Sequence, residues 1–253
     1  MNVFLWGVIP YLALVAVIGG TVWRYRYDKF GWTTRSSELY ESRLLRIGSP
    51  LFHYGILLVI VGHVMGLLIP ESWTTALGVS EDLYHMVAAI GGIIALVAAL
   101  AGVAILIYRR RTVGPVFAAT TWNDKLMYLV LVSAMLAGSY ITLVGAVDPH
   151  GPGVNYRETV APWFRSIFIL QPDIHAMEEA PLRFHIHVLL GMLMFILVPF
   201  TRLVHIFTAP LHYFFRPYIV YRSRDTKTTR GPQSGPHPRS KAWAPIGTED
   251  RES

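Results

Sequence analysis

Five apolar runs set what this chain can fold into: Val3–Trp23, Pro50–Ile69, Tyr84–Tyr108, Lys125–Val147 and Leu182–Phe207. Each is near the ~20 helical residues needed to cross about 30 Å of hydrocarbon. Inside a bilayer every backbone N–H and C=O must find its partner within the protein, which leaves helices as the fold for such runs. The expected class is therefore all-α, an integral membrane bundle of five transmembrane helices. Composition agrees, with 53% hydrophobic and 15% charged residues among 253. The first run lacks a basic start, and Trp23, Arg24, Tyr25 and Arg26 follow it where a leader would carry small residues, so it reads as a retained helix.

Charge gives the orientation, because Lys and Arg concentrate in cytoplasmic loops. The loop after the first run carries Arg24, Arg26, Lys29, Arg35, Arg43 and Arg46, whereas Pro70–Leu83 has no Lys or Arg but has Glu71, Glu81 and Asp82. Arg109, Arg110 and Arg111 follow the third run, read as solvated anchors. The loop after the fourth run is weighted toward acids, and Arg216, Arg222, Arg224, Lys227 and Arg230 follow the fifth. The alternation puts the N-terminus outside, the C-terminus in the cytoplasm, and the protein in the inner (plasma) membrane. It also accounts for the formal net charge of +6 without a nucleic-acid partner. Two regions fall outside the bundle. The loop Asp148–Pro181 is rich in Pro and Gly, with a short interfacial helix expected near Pro162–Leu170. Residues 225–253 form a polar, proline-bearing tail beyond a membrane domain of residues 1–224. Such a composition predicts disorder until a partner orders it, and the tail and first inner loop are expected to dock soluble subunits.

Four histidines lie in the second and fifth runs, where an imidazole is costly without a partner or ligand. His53 lies near the inner end of the second run and His63 ten residues further out. The fifth run is antiparallel, so His187 falls outside and His205 inside. Topology pairs His53 with His205 and His63 with His187. His187 and His205 are 18 residues apart, about five full turns of one helix, and share a face, whereas His185 lies about 160° from His205 and is the poorer ligand. The match is incomplete: His53 and His63 differ by about 80°, and the rises are ~15 Å against ~27 Å. Two opposed imidazole pairs suit two b-type haems. The chain has no cysteine, which excludes covalent haem attachment and cysteine-ligated clusters within it. Gly55, Gly62, Gly66 and Gly191 stand near these histidines, giving a flat macrocycle access or simply letting helices pack closely. Two readings of the histidines stay open: haem ligands, or proton relays in a transporter. Difference spectra separate them. His150, His175, His212 and His237 are expected at surfaces, and Trp73, Tyr84, Trp163, Tyr213 and Tyr218 in the interfacial belts. Arg46 and Arg202 inside, and Arg183 outside, are candidates for holding haem propionates or for anchoring alone.

Phe52-His53-Tyr54-Gly55-Ile56-Leu57, Val61-Gly62-His63-Val64-Met65-Gly66, His187-Val188-Leu189-Leu190-Gly191-Met192 and Pro199-Phe200-Thr201-Arg202-Leu203-Val204-His205-Ile206 resemble the membrane gamma subunit of respiratory nitrate reductase, from the first run to about Arg224. The resemblance implies a five-helix dihaem cytochrome b with ligands at His53, His63, His187 and His205. It implies quinol oxidation (menaquinol or ubiquinol) at the outer face, near His63, Gly66 and His85. Electrons would then pass to an iron–sulfur beta subunit and a molybdenum-containing alpha subunit that reduces nitrate in the cytoplasm. His85, in His85-Met86-Val87-Ala88, departs from the family: better-studied members carry a lysine there that is implicated in quinol binding. An imidazole can bond a quinone oxygen and take a proton near neutral pH, or His85 is only a helix-end residue. A dihaem membrane subunit of a sulfur-metabolism or heterodisulfide-reductase-type complex remains the neighbouring alternative.

Overall fold

A computed structural model describes residues 1–28, 37–148, 151 and 155–208. The polar tail, His150, His212, His237, Tyr213 and Tyr218 lie outside the described residues. The described chain is helical, with five segments long and apolar enough to span a membrane. These are α1 (Val3–Tyr27, opening with a π-helical turn at Val3–Val8), α2 (Arg43–Leu68, closing with one at Val64–Leu68), α4 (Glu81–Thr112), α6 (Trp122–Val147) and α9 (Leu182–Leu197, extended to Phe200 by a 3-10 turn). Short helices α3 (Glu71–Ala76), α5 (Gly114–Ala118), α7 (Val160–Phe168) and α8 (Ile174–Glu178) occupy the connections. Leu57, Val61, Ile90, Val97 and Leu129 are exposed on the bundle's outside, as suits a protein solvated by hydrocarbon.

Neighbouring spans pack in the order α2, α4, α6, α9, α1. The tightest seam is α2 on α4, and glycine makes it. A Cβ on Gly55 would collide with the backbone of Ala98 and Ala99, and one on Gly102 with the backbone of Phe52. Small residues let transmembrane backbones approach where no hydrophobic force drives association. Gly55 therefore serves helix packing, and the macrocycle-access reading does not apply to it.

Helix starts follow local chemistry. The Ser80 hydroxyl accepts from the Leu83 N–H (3.3 Å) at the head of α4. Thr121 and Asp124 form a reciprocal capping box on α6. The interfacial helix expected near Pro162–Leu170 is α7, whose buried face, Val160, Ala161, Trp163 and Ile167, packs on Trp6 of α1. The Trp163 indole N–H donates to the Trp6 carbonyl at 2.9 Å. Trp163 is thus a core residue, correcting its belt assignment, whereas Trp73 is exposed.

Two further expectations change. Arg109 is no solvated anchor. It is buried and donates to the Glu41 carboxylate (2.6 Å), the Ser37 hydroxyl (2.9 Å) and the carbonyls of Ser37 and Glu41, tying the α1–α2 connection to the end of α4. The fifth span is also not one straight helix to Phe207. The α-helix stops at Leu197, Val198–Phe200 forms a single 3-10 turn, Thr201 is extended (φ −121°, ψ −175°), and a second 3-10 run covers Arg202–Thr208. The ~27 Å separation of His187 and His205 presupposed a continuous helix, and that premise fails at Pro199–Thr201.

Candidate functional site

The two histidine pairs form as topology requires. His53 of α2 faces His205, with ring centroids 6.0 Å apart and planes at 66°. His63 of α2 faces His187 of α9, at 5.9 Å and 37°. The first pair lies at the arginine-rich end and is the inner pair by the charge reading; the second is the outer pair. An imidazole nitrogen sits about 2 Å from a ligated transition metal with its ring centre about 1.1 Å beyond, so two imidazoles across one metal place their centroids about 6 Å apart. Both pairs have that spacing.

Hydrogen bonding fixes the tautomer of all four rings. Nδ1 of His53 bonds the Ser49 carbonyl at 2.7 Å, that of His63 the Val59 carbonyl at 2.8 Å, that of His187 the Ala134 carbonyl at 3.1 Å, and that of His205 the Arg202 carbonyl at 2.6 Å. A carbonyl can only accept, so each Nδ1 carries the hydrogen, and in the neutral ring each Nε2 then carries the lone pair a metal needs. Such an outer bond also orients the ring and raises its basicity. Among the described residues no three of His, Cys, Asp and Glu converge on one point. Two ligands per centre suit iron whose other positions a porphyrin fills. His53 and His63 are exposed at the bundle surface, so a flat group can reach them.

The glycines divide by role. Beside Gly62 and Gly191 an added Cβ would meet nothing within 4 Å, which leaves room for a macrocycle. Gly66 instead abuts the ring and hydroxyl of Tyr156, while Gly138 of α6 makes space for the His187 ring, 2.9 Å from where a Cβ would stand. His185 turns away from the pairs: its Nε2 bonds the Met177 carbonyl at 2.7 Å and its ring lies against Trp6, 4.9 Å between centroids.

A second constellation gathers at the outer end around His85. Its Nε2 lies 3.4 Å from a Glu81 carboxylate oxygen one turn earlier on α4. Arg157, buried in the outer loop, reaches the other oxygen of Glu81 (3.2 Å) and the Thr74 hydroxyl (2.8 Å), and stacks over the Tyr84 ring at 3.9 Å. The Tyr84 and Tyr156 hydroxyls are 3.4 Å apart. Burial, reinforced by Tyr84, pushes the Tyr156 phenol above its ordinary range, so it remains protonated at neutral pH. Tyr156 thereby links Gly66 to the Tyr84–His85 turn. Sequence reading missed Tyr156 and Arg157 as site residues, because a loop has no periodicity to reveal what it covers. His175 is exposed, as expected, with Glu179 3.6 Å away.

At the inner end, Arg202 does not stand ready as a lone cation. Its guanidinium forms a two-point pair with Asp124 at the start of α6, one contact at 2.9 Å and the other, Nε to Oδ1, shorter. Asp124 is likewise absent from the sequence-based site, its only sequence signal being the Thr121 cap.

Residues 2–224 match the family model described as nitrate reductase gamma subunit. The chain is 61% identical over 225 residues to the nitrate reductase-like protein NarX of Mycobacterium tuberculosis, covering 89% of this chain but 34% of that protein. It thus spans about a third of the length of that relative. It is 47% identical to the nitrate reductase gamma chain of Bacillus subtilis, covering 87% of this chain and 97% of the relative. Against the respiratory nitrate reductase 2 gamma chain of Escherichia coli the figures are 34% identity, 88% and 98%.

Proposed function

The chain belongs to the nitrate reductase gamma subunit family, and from that premise we propose that it is the membrane cytochrome b subunit of a nitrate reductase complex, oxidising quinol at the outer face. The observation that carries this reading is the shared chemistry of the two histidine pairs: four Nδ1–H groups given to backbone carbonyls, four Nε2 lone pairs, and two ~6 Å spacings suited to bis-imidazole iron. His53 and His205 hold one b-type haem, and His63 and His187 the other. When bound, the two haems supply a pair of one-electron iron couples arranged across the membrane.

The chain's own residues do the rest. At the outer end His85 accepts a proton from a quinol hydroxyl, and the Glu81 carboxylate, 3.4 Å away, stabilises the imidazolium that results. Arg157, itself anchored on the Thr74 hydroxyl, holds Glu81 in place, and Tyr156 closes the space against Gly66. One quinol yields two protons and two electrons. The protons leave outward, while the electrons leave toward an iron–sulfur beta subunit and a molybdenum-containing alpha subunit on the cytoplasmic side. Oxidation outside with reduction inside separates charge across the membrane. The orientation rests on the arginines of the α1–α2 loop and the α4 end.

A reduced-minus-oxidised spectrum of the purified chain with haemochrome quantification tests the proposal. Two haems b per chain is the expected result, and none would return the histidines to the proton-relay reading.

A further inference from the structure

The segment carrying His205 has little stability of its own. Runs of 3-10 helix beyond three or four residues are uncommon because their hydrogen bonds are poorly aligned, yet Arg202–Thr208 spans seven residues. It follows an extended residue, Thr201, and a proline that ends α9. What fixes it comes from α1 and α6. Pro199 seats in a notch left by Gly20 of α1, where a Cβ would come within 2.9 Å of the proline ring. Arg24 of α1 donates to the Pro199 carbonyl (2.6 Å) and the Thr201 carbonyl (3.3 Å). Asn123 of α6 donates to the Phe200 carbonyl (2.5 Å).

The next residue, Arg202, is held by both carboxylate oxygens of Asp124. Asp124 is itself buried and rigid. Its carboxylate accepts from the Thr121 N–H (2.9 Å), and its own N–H donates to the Thr121 hydroxyl (3.2 Å). The carbonyl of that same Arg202 accepts the Nδ1–H of His205 at 2.6 Å. A continuous path therefore runs from the cap of α6, through Asp124 and the backbone of Arg202, to the inner imidazole. The outer imidazole of the fifth span has no counterpart: His187 stands on regular α-helix and bonds a carbonyl of α6 directly.

We propose that Asp124 is a positioning residue for the inner histidine pair, fixing through Arg202 the carbonyl that orients His205 and sets its strength as a ligand. This rests on the haem reading above. An imidazole that donates Nδ1–H to a well-placed acceptor is the stronger donor at Nε2, and a stronger donor favours ferric over ferrous iron. Loosening the carbonyl therefore makes the inner centre easier to reduce and leaves the outer one alone. The sequence gives Asp124 no such role, because 78 residues separate it from Arg202.

The test is redox potentiometry and low-spin electron paramagnetic resonance on membranes carrying the whole complex, with Asp124→Asn, Asp124→Glu and Thr121→Val. In Asp124→Asn one of the two b-haem midpoints should rise and its resonance should shift, with the other centre unchanged. If the centre is lost outright, haem per chain should fall from two toward one. Asp124→Glu should restore part of the shift. Thr121→Val, which keeps the carboxylate but removes the hydroxyl that caps the Asp124 N–H, should give a smaller shift of the same centre, and it stands in if Asp124→Asn fails to assemble. Unchanged potentials in every variant that assembles, or equal movement of both centres, overturns the assignment. Two haems retained in His205→Ala would instead overturn the underlying ligand reading, so the two failures are distinct.

Discussion

The two ends of the bundle hold their histidine pairs by different means. At the outer end both histidines stand on unbroken helix, His63 at the last α-helical residue before the π turn: His63 bonds a carbonyl one turn back on α2, and His187 bonds across to Ala134 of α6. At the inner end His53 repeats the one-turn device, but His205 follows a broken helix, and Gly20, Arg24, Asn123 and Asp124 from two other spans hold its segment. His53 and His63 each need one helix in register and His187 needs two, whereas His205 needs three elements in agreement. The inner centre should therefore be the more easily disturbed by substitutions away from the ligands.

The largest effects come from the ligands. His205→Ala should remove the inner haem and His187→Ala the outer, each lowering haem per chain from two to one by haemochrome assay. His185→Ala should leave both, since its Nε2 is committed to the Met177 carbonyl. Loss of a haem in the His185 variant would show that the wrong histidine of Phe184-His185-Ile186-His187 has been assigned.

Next are two glycines that separate the ends. Gly20→Leu forces a side chain onto Pro199, and Gly138→Leu forces one onto the His187 ring. Overpacking of this kind costs about 1–3 kcal/mol. The first should lower occupancy of the inner haem and the second of the outer, read from the two resolved low-spin resonances. If Gly20→Leu disturbs both centres alike, the Pro199 notch holds the whole bundle rather than the inner segment.

These contrasts also explain what the sequence could and could not reveal. The five spans and the pairing of His53 with His205 and His63 with His187 follow from hydrophobic length and antiparallel order, which are linear properties of the chain. The lower rank of His185 rests on its phase relative to His205, which does not survive the break; the Met177 carbonyl bonded to its Nε2 is what sets it apart. Phase fails between His187 and His205 because it assumes one helix, and Pro199 with extended Thr201 breaks it. Asp124, Tyr156 and the buried Arg109 escape for a related reason: each acts through partners more than sixty residues distant, and no local spacing encodes them.

At the outer end, His85→Leu should leave both haems fully reducible by dithionite but slow their reduction by a menaquinol analogue by ~100-fold or more, the usual scale for losing a general base. Stopped-flow absorbance at the reduced b-haem band measures it. Because His85 and Glu81 belong only to the outer constellation, the midpoint of the inner haem should not move. Unchanged quinol-driven reduction would place the proton acceptor elsewhere.

The smallest effect concerns acid. Desolvation pushes Glu41 up, but the Leu44 N–H and the Arg109 guanidinium outweigh it, and together they hold its carboxyl below the usual carboxylate range. A group whose folded pKa is depressed contributes stability that is fully present above its unfolded value, about 4.3 for glutamate, and is lost as pH falls through the folded value. The Arg109 clamp should therefore weaken below about pH 4.3, at the arginine-rich end. Glu41→Gln should lower thermal stability modestly at neutral pH and flatten its decline in acid, measured by melting the detergent-solubilised protein from pH 7 downward. The inner haem resonance should broaden in acid before the outer one does, because α4, tied at this end by Arg109, packs along the helix that bears His53. Equal acid sensitivity of wild type and Glu41→Gln would show that the clamp is passive and that the ends differ only in how they hold His205.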